Sequence, residues 1–260
     1  MTFLEIFLPG LVIVLALMTF IWVVSVFKKN AGIIDPFWGM GFVLLVFYYY
    51  FQTSGWEIRK MIILILVSLW GLRLSLYLAW RNWGKGEDFR YRQFREKYGP
   101  HRYWWFSLFQ VFLLQGVLMW LISAPLLGAQ YNAVPAFGIL DAVGVTVWLI
   151  GIIFEAGGDF QMARFKVDPR NQGKILDTGF WKYTRHPNYF GDSCVWWGYG
   201  LICLAGGSYI PVYGSVLMTA LIIRVSGVFL LERPLTRAKP GYQDYVESTS
   251  AFFPWFPKRR

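Results

Sequence analysis

Residues 3–27 read FLEIFLPGLVIVLALMTFIWVVSVF, a run whose sole charge is Glu5. A helix rises 1.5 Å per residue, so about 20 apolar residues cross the ~30 Å hydrocarbon core of a bilayer, and this run is long enough. It has neither a basic start nor a small-residue cleavage site, so it is expected to remain as a first membrane helix rather than to be removed as a signal peptide. Working outward, further apolar runs follow at roughly 33–52, 60–80, 106–127, 138–160, 189–206 and 209–231. The expected fold is an all-α integral membrane protein, a bundle of seven transmembrane helices. Lipid offers no partner to an open backbone N–H or C=O, which favours helices throughout.

The composition agrees. A chain of 260 residues that is 56% hydrophobic and 20% aromatic is not an ordinary soluble domain. Its net charge of +10 does not point to nucleic acid, because the cations sit in short segments between apolar runs. Arg81 to Arg102, Arg164 to Arg185, and the tail from Arg233 to Arg260 are basic, whereas the connectors 128–136 and 206–208 hold no Lys or Arg. By the positive-inside rule the basic segments face the cytoplasm, with the N-terminus outside and the C-terminus inside. Lys28-Lys29 and Arg59-Lys60 do not discriminate between sides. A single domain is expected, with residues 1–127 on the substrate side and 138–260 on the cofactor side.

Charges within the expected spans are few, and each is costly unless paired or wet. Asp141 reads as a solvated helix-start charge. Glu155 and Asp159, four apart, share one helical face, with Arg164 and Lys166 following within two turns. They form either a structural ion-pair cluster or a site where acids take ribose or amide groups and cations take phosphates. Asp35 precedes Pro36 at an expected helix start. As an N-cap it would contribute about 1 kcal/mol; in an aromatic pocket it could instead hold a proton or position a donor. Tyr77 is one of fifteen tyrosines, and spacing alone makes it an interfacial anchor. Glu87-Asp88-Phe89-Arg90-Tyr91 reads as a solvated mixed-charge turn, and His101 as a surface histidine.

Arg185-His186-Pro187-Asn188-Tyr189-Phe190-Gly191-Asp192 gathers a cation, an imidazole, a carboxamide, a phenol and a carboxylate within about two helical turns, with Pro187 placed to start a helix. This is a natural address for an anionic cofactor. No metal site is expected, because no His/Cys/Asp grouping has ligand spacing. Cys194 and Cys203 lie nine apart on roughly opposite helix faces, so they cannot bridge.

The stretch Thr178 to Asp192, followed by Trp196-Trp197-Gly198-Tyr199-Gly200, resembles the C-terminal region of the steroid 5-alpha-reductase superfamily, and most closely its bacterial branch DUF1295. The resemblance extends through Ser226-Gly227, Leu230-Leu231-Glu232, Gly241 to Tyr245 and Ser250 to Pro254, and more loosely to Asp35-Pro36-Phe37-Trp38-Gly39 and Tyr77. It implies a seven-helix bundle that binds NADPH at its cytoplasmic face, in a bacterial inner membrane, and passes hydride to the C=C bond of an enone-containing lipid or steroid entering from the bilayer. Membrane lipid is an expected partner and nucleic acid is not.

Carried over by position, the resemblance places Asp159, Lys166, Asn188, Tyr189 and Asp192 at the cofactor, with Arg164, Arg185 and His186 beside them, and puts Glu232 where the steroid enzymes have a histidine. It expects an arginine after Ser226-Gly227, where this chain has Val228, leaving Arg224 or a loop cation for that phosphate role. The catalytic pair corresponds to Asp35 and Tyr77. The same Arg-His-Pro entrance also resembles the isoprenylcysteine carboxyl and phospholipid methyltransferases, which bind S-adenosylmethionine and tend to carry a glutamate pair where this chain has Glu232-Arg233. A non-enzymatic lipid-binding or assembly protein is a third reading.

Overall fold

The computed structural model describes residues 1–226 and 241–258. Among these residues every regular element is helical. The helices are α1 (Phe3–Lys28), α2 (Phe37–Gln52), α3 (Glu57–Asn82), α4 (Phe89–Tyr98), α5 (Pro100–Ser107), α6 (Leu114–Ile122), α7 (Ala124–Tyr131), α8 (Ile139–Val167), α9 (Pro187–Ala205), α10 (Tyr213–Ala220) and α11 (Tyr242–Ser248). A π-helical segment, Leu108–Leu113, joins α5 to α6, and another, Leu221–Ser226, follows α10.

Five helical stretches are long and apolar enough to cross a membrane: 3–28, 31–52, 57–82, 101–131 and 139–167. The protein is therefore a membrane protein. The expected spans 189–206 and 209–231 correspond to α9 and to a shorter apolar stretch, Ile210–Arg224, beyond which the chain leaves the described residues. The fourth span is longer than expected and runs to Tyr131. The basic segment after α3 is largely helical, because Tyr91, Phe94 and Tyr98 recur at helical spacing.

The chain divides into two compact units, residues 1–136 with 206–211, and residues 137–205 with 212 onward. In the first, α1 opens with a reciprocal cap in which Thr2 and Glu5 each accept the other's backbone N–H. It closes at Lys29 in the left-handed conformation, φ 51°. Helices α2 and α3 cross where Gly39 meets Gly71, so closely that a Cβ on Gly39 would lie 2.3 Å from the Gly71 carbonyl oxygen. Small residues at such crossings let backbones approach where lipid supplies no hydrophobic drive.

One end of this unit gathers four chain segments. Tyr131 donates to the Met1 carbonyl, Trp56 N–H to Asn132 O, and Asn132 Nδ2 to Gly206 O. Arg59 is buried there, its two terminal nitrogens on the carbonyls of Val134 (3.0 Å) and Ala136 (2.7 Å), and Lys60 donates to Thr53 O. These two cations failed to discriminate between sides because they satisfy loop carbonyls. Lys29 and the 82–100 segment lie together at the unit's other end, where Arg95 bonds Lys29 O.

In the second unit α8 and α9 run antiparallel along a glycine seam. Gly144, Gly151 and Gly158 recur every seven residues, nearly two turns, and so keep one face. They meet Gly198, Gly191 and Pro187 in turn. A Cβ on Gly151 would stand 2.6 Å from Val195 N and 2.7 Å from Gly191 O. Above the seam Trp148 Nε1 donates to Tyr199 OH (3.0 Å), and α10 joins α9 through Ser193 and Thr219.

Candidate functional sites

In the first unit a polar cluster gathers around Asp35. Pro36, not Asp35, takes the N-cap position of α2, with no side-chain capping bond; Asp35 instead closes the short 3₁₀ helix Ala31–Ile34, which Asn30 caps by accepting Gly32 N–H on its Oδ1. The Tyr91 hydroxyl donates to Asp35 Oδ1 at 2.8 Å, and Arg90 Nη2 stands 3.7 Å from Oδ2. Arg90 also binds Asp88, which caps α4 by accepting Arg90 N–H. Glu87 accepts Ala31 N–H and takes two hydrogen bonds from Arg95, whose guanidinium lies 4.6 Å from the Tyr103 ring centroid.

The segment read as a solvated turn is thus a clasp on the 29–35 turn, and the Glu87 side chain is only 7% exposed. Burial, and then the Asp35 charge, push the Tyr91 phenol well above its usual range, so it stays a neutral donor. Burial alone would raise Asp88, but its hydrogen bonds to Arg90 outweigh that and hold its carboxyl below the ordinary value. Burial would likewise lower Arg90; Asp88 and Asp35 overcome it and keep the guanidinium charged.

Tyr77 is half-buried on α3 in the same unit, with the Arg81 guanidinium 6.0 Å from its ring centroid and Trp80 beside it. The sequence reading missed Arg90 and Tyr91 as partners of Asp35, and Glu87 as the acceptor of the Ala31 N–H. Their acid-base-phenol composition was visible, but their contact with a residue 56 positions away was not.

In the second unit Asn188 Nδ2 donates to Asp159 Oδ1 at 3.3 Å, joining two expected cofactor residues across the glycine seam, and Glu155 is buried one turn before Asp159. Arg164 and Lys166 are exposed at the end of α8. Lys166 lines a groove of about 330 Å³ with Met162, Phe165, Asn171, Gln172 and Leu176. Next to it Arg170 clamps Asp168 and holds that carboxyl below its usual range.

His186 is buried and stacks on Tyr189 at 5.5 Å between ring centroids. Arg185 is buried too, with its Nη1 on the carbonyls of Val246 (2.8 Å) and Thr249, so this cation also ties down the C-terminal segment. Asp192 is half-buried on the second turn of α9, and Arg224 is exposed on the π-helical segment. Glu232, with Val228 and the rest of its motif, lies outside the described residues. Among the described residues no His/Cys/Asp/Glu group could hold a metal, and Cys194 and Cys203 are not bridged to each other.

Residues 21–249 match the family described as "Protein of unknown function (DUF1295)". The chain belongs to the DUF1295 family. This DUF1295 chain is 24% identical over 277 aligned positions to an uncharacterized protein of Schizosaccharomyces pombe, a match covering 95% of the chain and 79% of that relative. It is 32% identical over 130 residues to a Delta(14)-sterol reductase of Methylotuvimicrobium alcaliphilum, and 30% identical over 139 residues to one of Ascobolus immersus. These matches take in 43% and 47% of this chain and 30% of each reductase, so the aligned part spans about a third of those proteins. These partial matches support a relation to the steroid reductase-like superfamily. No solved structure matches it significantly.

Proposed function

We propose that the protein is a membrane-embedded, NADPH-dependent reductase that delivers hydride to the C=C bond of an enone-containing lipid or steroid. The observation that supports this reading is the partial match to two Delta(14)-sterol reductases. It comes with a bundle of seven spans, N-terminus outside and basic segments in the cytoplasm, acting as one domain. The shared end of Met1, the α2–α3 connector and the segment after α7 fits the alternation of connectors which that topology requires.

The nucleotide would be held by residues of the second unit. Asp159 and Asn188 have carboxylate and carboxamide groups suited to ribose or amide, Tyr189 and His186 present stacked rings, and Arg164, Lys166 and Arg224 are exposed cations suited to phosphates. Bound there, NADPH would supply the hydride. In a 1,4-reduction hydride adds at the β carbon, the C=C electrons move onto the carbonyl oxygen, and the enolate then takes a proton at the α carbon. Tyr77 is assigned as donor to the developing oxygen, with Asp35 holding the proton supply. The Tyr91 and Arg90 contacts fix the Asp35 carboxylate for that role.

The experiment is an assay of detergent-solubilised protein with NADPH and a panel of 3-oxo-Δ4 steroids and enone lipids, read by mass spectrometry. A product that has gained two hydrogens, one of them deuterium when the nicotinamide carries it, supports the reading. Methyl transfer from S-adenosylmethionine with no reduction would replace it by the methyltransferase alternative.

A further inference from the structure

The C-terminal segment pairs a fixed backbone with uncovered rings. Arg185 N–H donates to Ser250 O, Thr184 Oγ1 to Phe252 O, Trp255 N–H to Tyr183 O and Lys258 N–H to Ser248 O, all at 2.9 Å. Tyr245 donates to Trp181 O, and Trp181 Nε1 in turn to Gly158 O. The strap from Ser250 to Lys258 is therefore bound along the loop that leads into α9. Phe252 is buried, but three other large side chains of the strap face outward, Phe253, Trp255 and Phe256 being 71%, 73% and 75% exposed.

The level of this strap along α8 says what covers the rings. A ~30 Å hydrocarbon core is crossed in about 20 helical residues. A helix that enters it at Ile139 leaves near Asp159, and Trp181 anchors the strap's loop to Gly158. The rings thus lie at the depth where aromatic side chains gather in membrane proteins. Lys258 is exposed beside them, and Arg259 and Arg260 follow in the sequence, a charge that matches anionic headgroups.

We propose that Phe253, Trp255 and Phe256 seat the C-terminal strap in the headgroup boundary of the bilayer, with Lys258 reaching anionic lipid. Because the same strap bonds Thr184 and Arg185, membrane contact and the order of the loop entering α9 are one mechanical unit. Neither statement depends on the reaction the protein catalyses.

The test places benzoylphenylalanine singly at positions 253, 255 and 256, and at exposed Gln243 on α11 as control, in the full chain reconstituted in phosphatidylcholine–phosphatidylglycerol liposomes. These are exposed positions, so folding is retained. After irradiation, phospholipid adducts at all three strap positions, at least tenfold above position 243, are expected. Adducts only to protein, whether a second copy or another segment, would overturn the proposal, as would lipid adducts no more frequent than at 243.

Discussion

Tyr91 donates its phenolic hydrogen to Asp35 Oδ1 across 2.8 Å, and Arg90, the neighbouring residue on the same helix, approaches the other carboxylate oxygen. A carboxylate held from both sides in this way keeps one orientation while a proton is delivered beside it. Substitution therefore separates the roles. Asp35→Asn and Tyr77→Phe should each lower turnover by about 100-fold or more, the scale of lost general acid catalysis. Tyr91→Phe, which loses only the positioning bond, should cost roughly tenfold, a single hydrogen bond's worth of free energy. All three should bind NADPH normally in a melting assay. Full turnover in Tyr77→Phe would remove its assignment.

The Tyr91 phenol also makes a pH signature. Its folded-state pKa lies above the unfolded value, so the folded protein keeps this proton longer than the unfolded chain does. The resulting stabilisation is complete below about pH 10, the unfolded value, and is lost as pH rises past it. The melting-temperature gap between wild type and Tyr91→Phe should be constant from pH 7 to 9 and change progressively, to the disadvantage of wild type, above about pH 10. A gap at pH 11 equal to that at pH 8 would contradict the phenol's environment.

Glu87 joins three backbone or side-chain donors from α4 and the 29–32 turn. Glu87→Ala would leave Ala31 N–H and the Arg95 guanidinium without this acceptor, and hydrogen bonds to charged groups contribute about 1.5–3 kcal/mol. Denaturation of the detergent-solubilised protein should show a loss of about that size, with faster amide exchange at Ala31. Unchanged exchange there would mean the clasp does not order the turn.

The α8–α9 seam predicts a contrast between two glycines. Gly151→Ala places a methyl against backbone atoms of Val195 and Gly191 that cannot move aside, whereas Gly86→Ala meets nothing within 4 Å. The first should lower the melting temperature sharply, with a cost of roughly 3 kcal/mol or more, and the second should leave it unchanged. Equal melting of the two variants would exclude the close packing of α8 on α9.

Much of this architecture was legible in the sequence. The apolar runs give the helices, because length and hydropathy alone decide what can cross a bilayer, and the glycine heptads at 144, 151 and 158 are readable as a packing face. The entrance motif from Arg185 to Asp192 announces its own polar cluster because its residues are local. Two things were hidden. The basic segment after α3 is too poor in apolar residues to read as helical by hydropathy, although its aromatic period shows it. The partnership of Glu87, Arg90 and Tyr91 with the 31–35 turn depends on a tertiary contact that no local pattern encodes. Arg185 was legible as a cation but not as one bonded to the carbonyls of Val246 and Thr249.

The central claim is that the protein binds a nicotinamide nucleotide, and thermal melting of the purified protein in detergent with NADPH, NADH or S-adenosylmethionine tests it most directly. A ligand bound only by the folded state adds about 2.7 kcal/mol at 100 times its dissociation constant. NADPH should therefore raise the melting temperature by several degrees, with less effect in Lys166→Ala and Asn188→Ala, and S-adenosylmethionine should not. Stabilisation by S-adenosylmethionine alone, or by none of the three, would contradict the account.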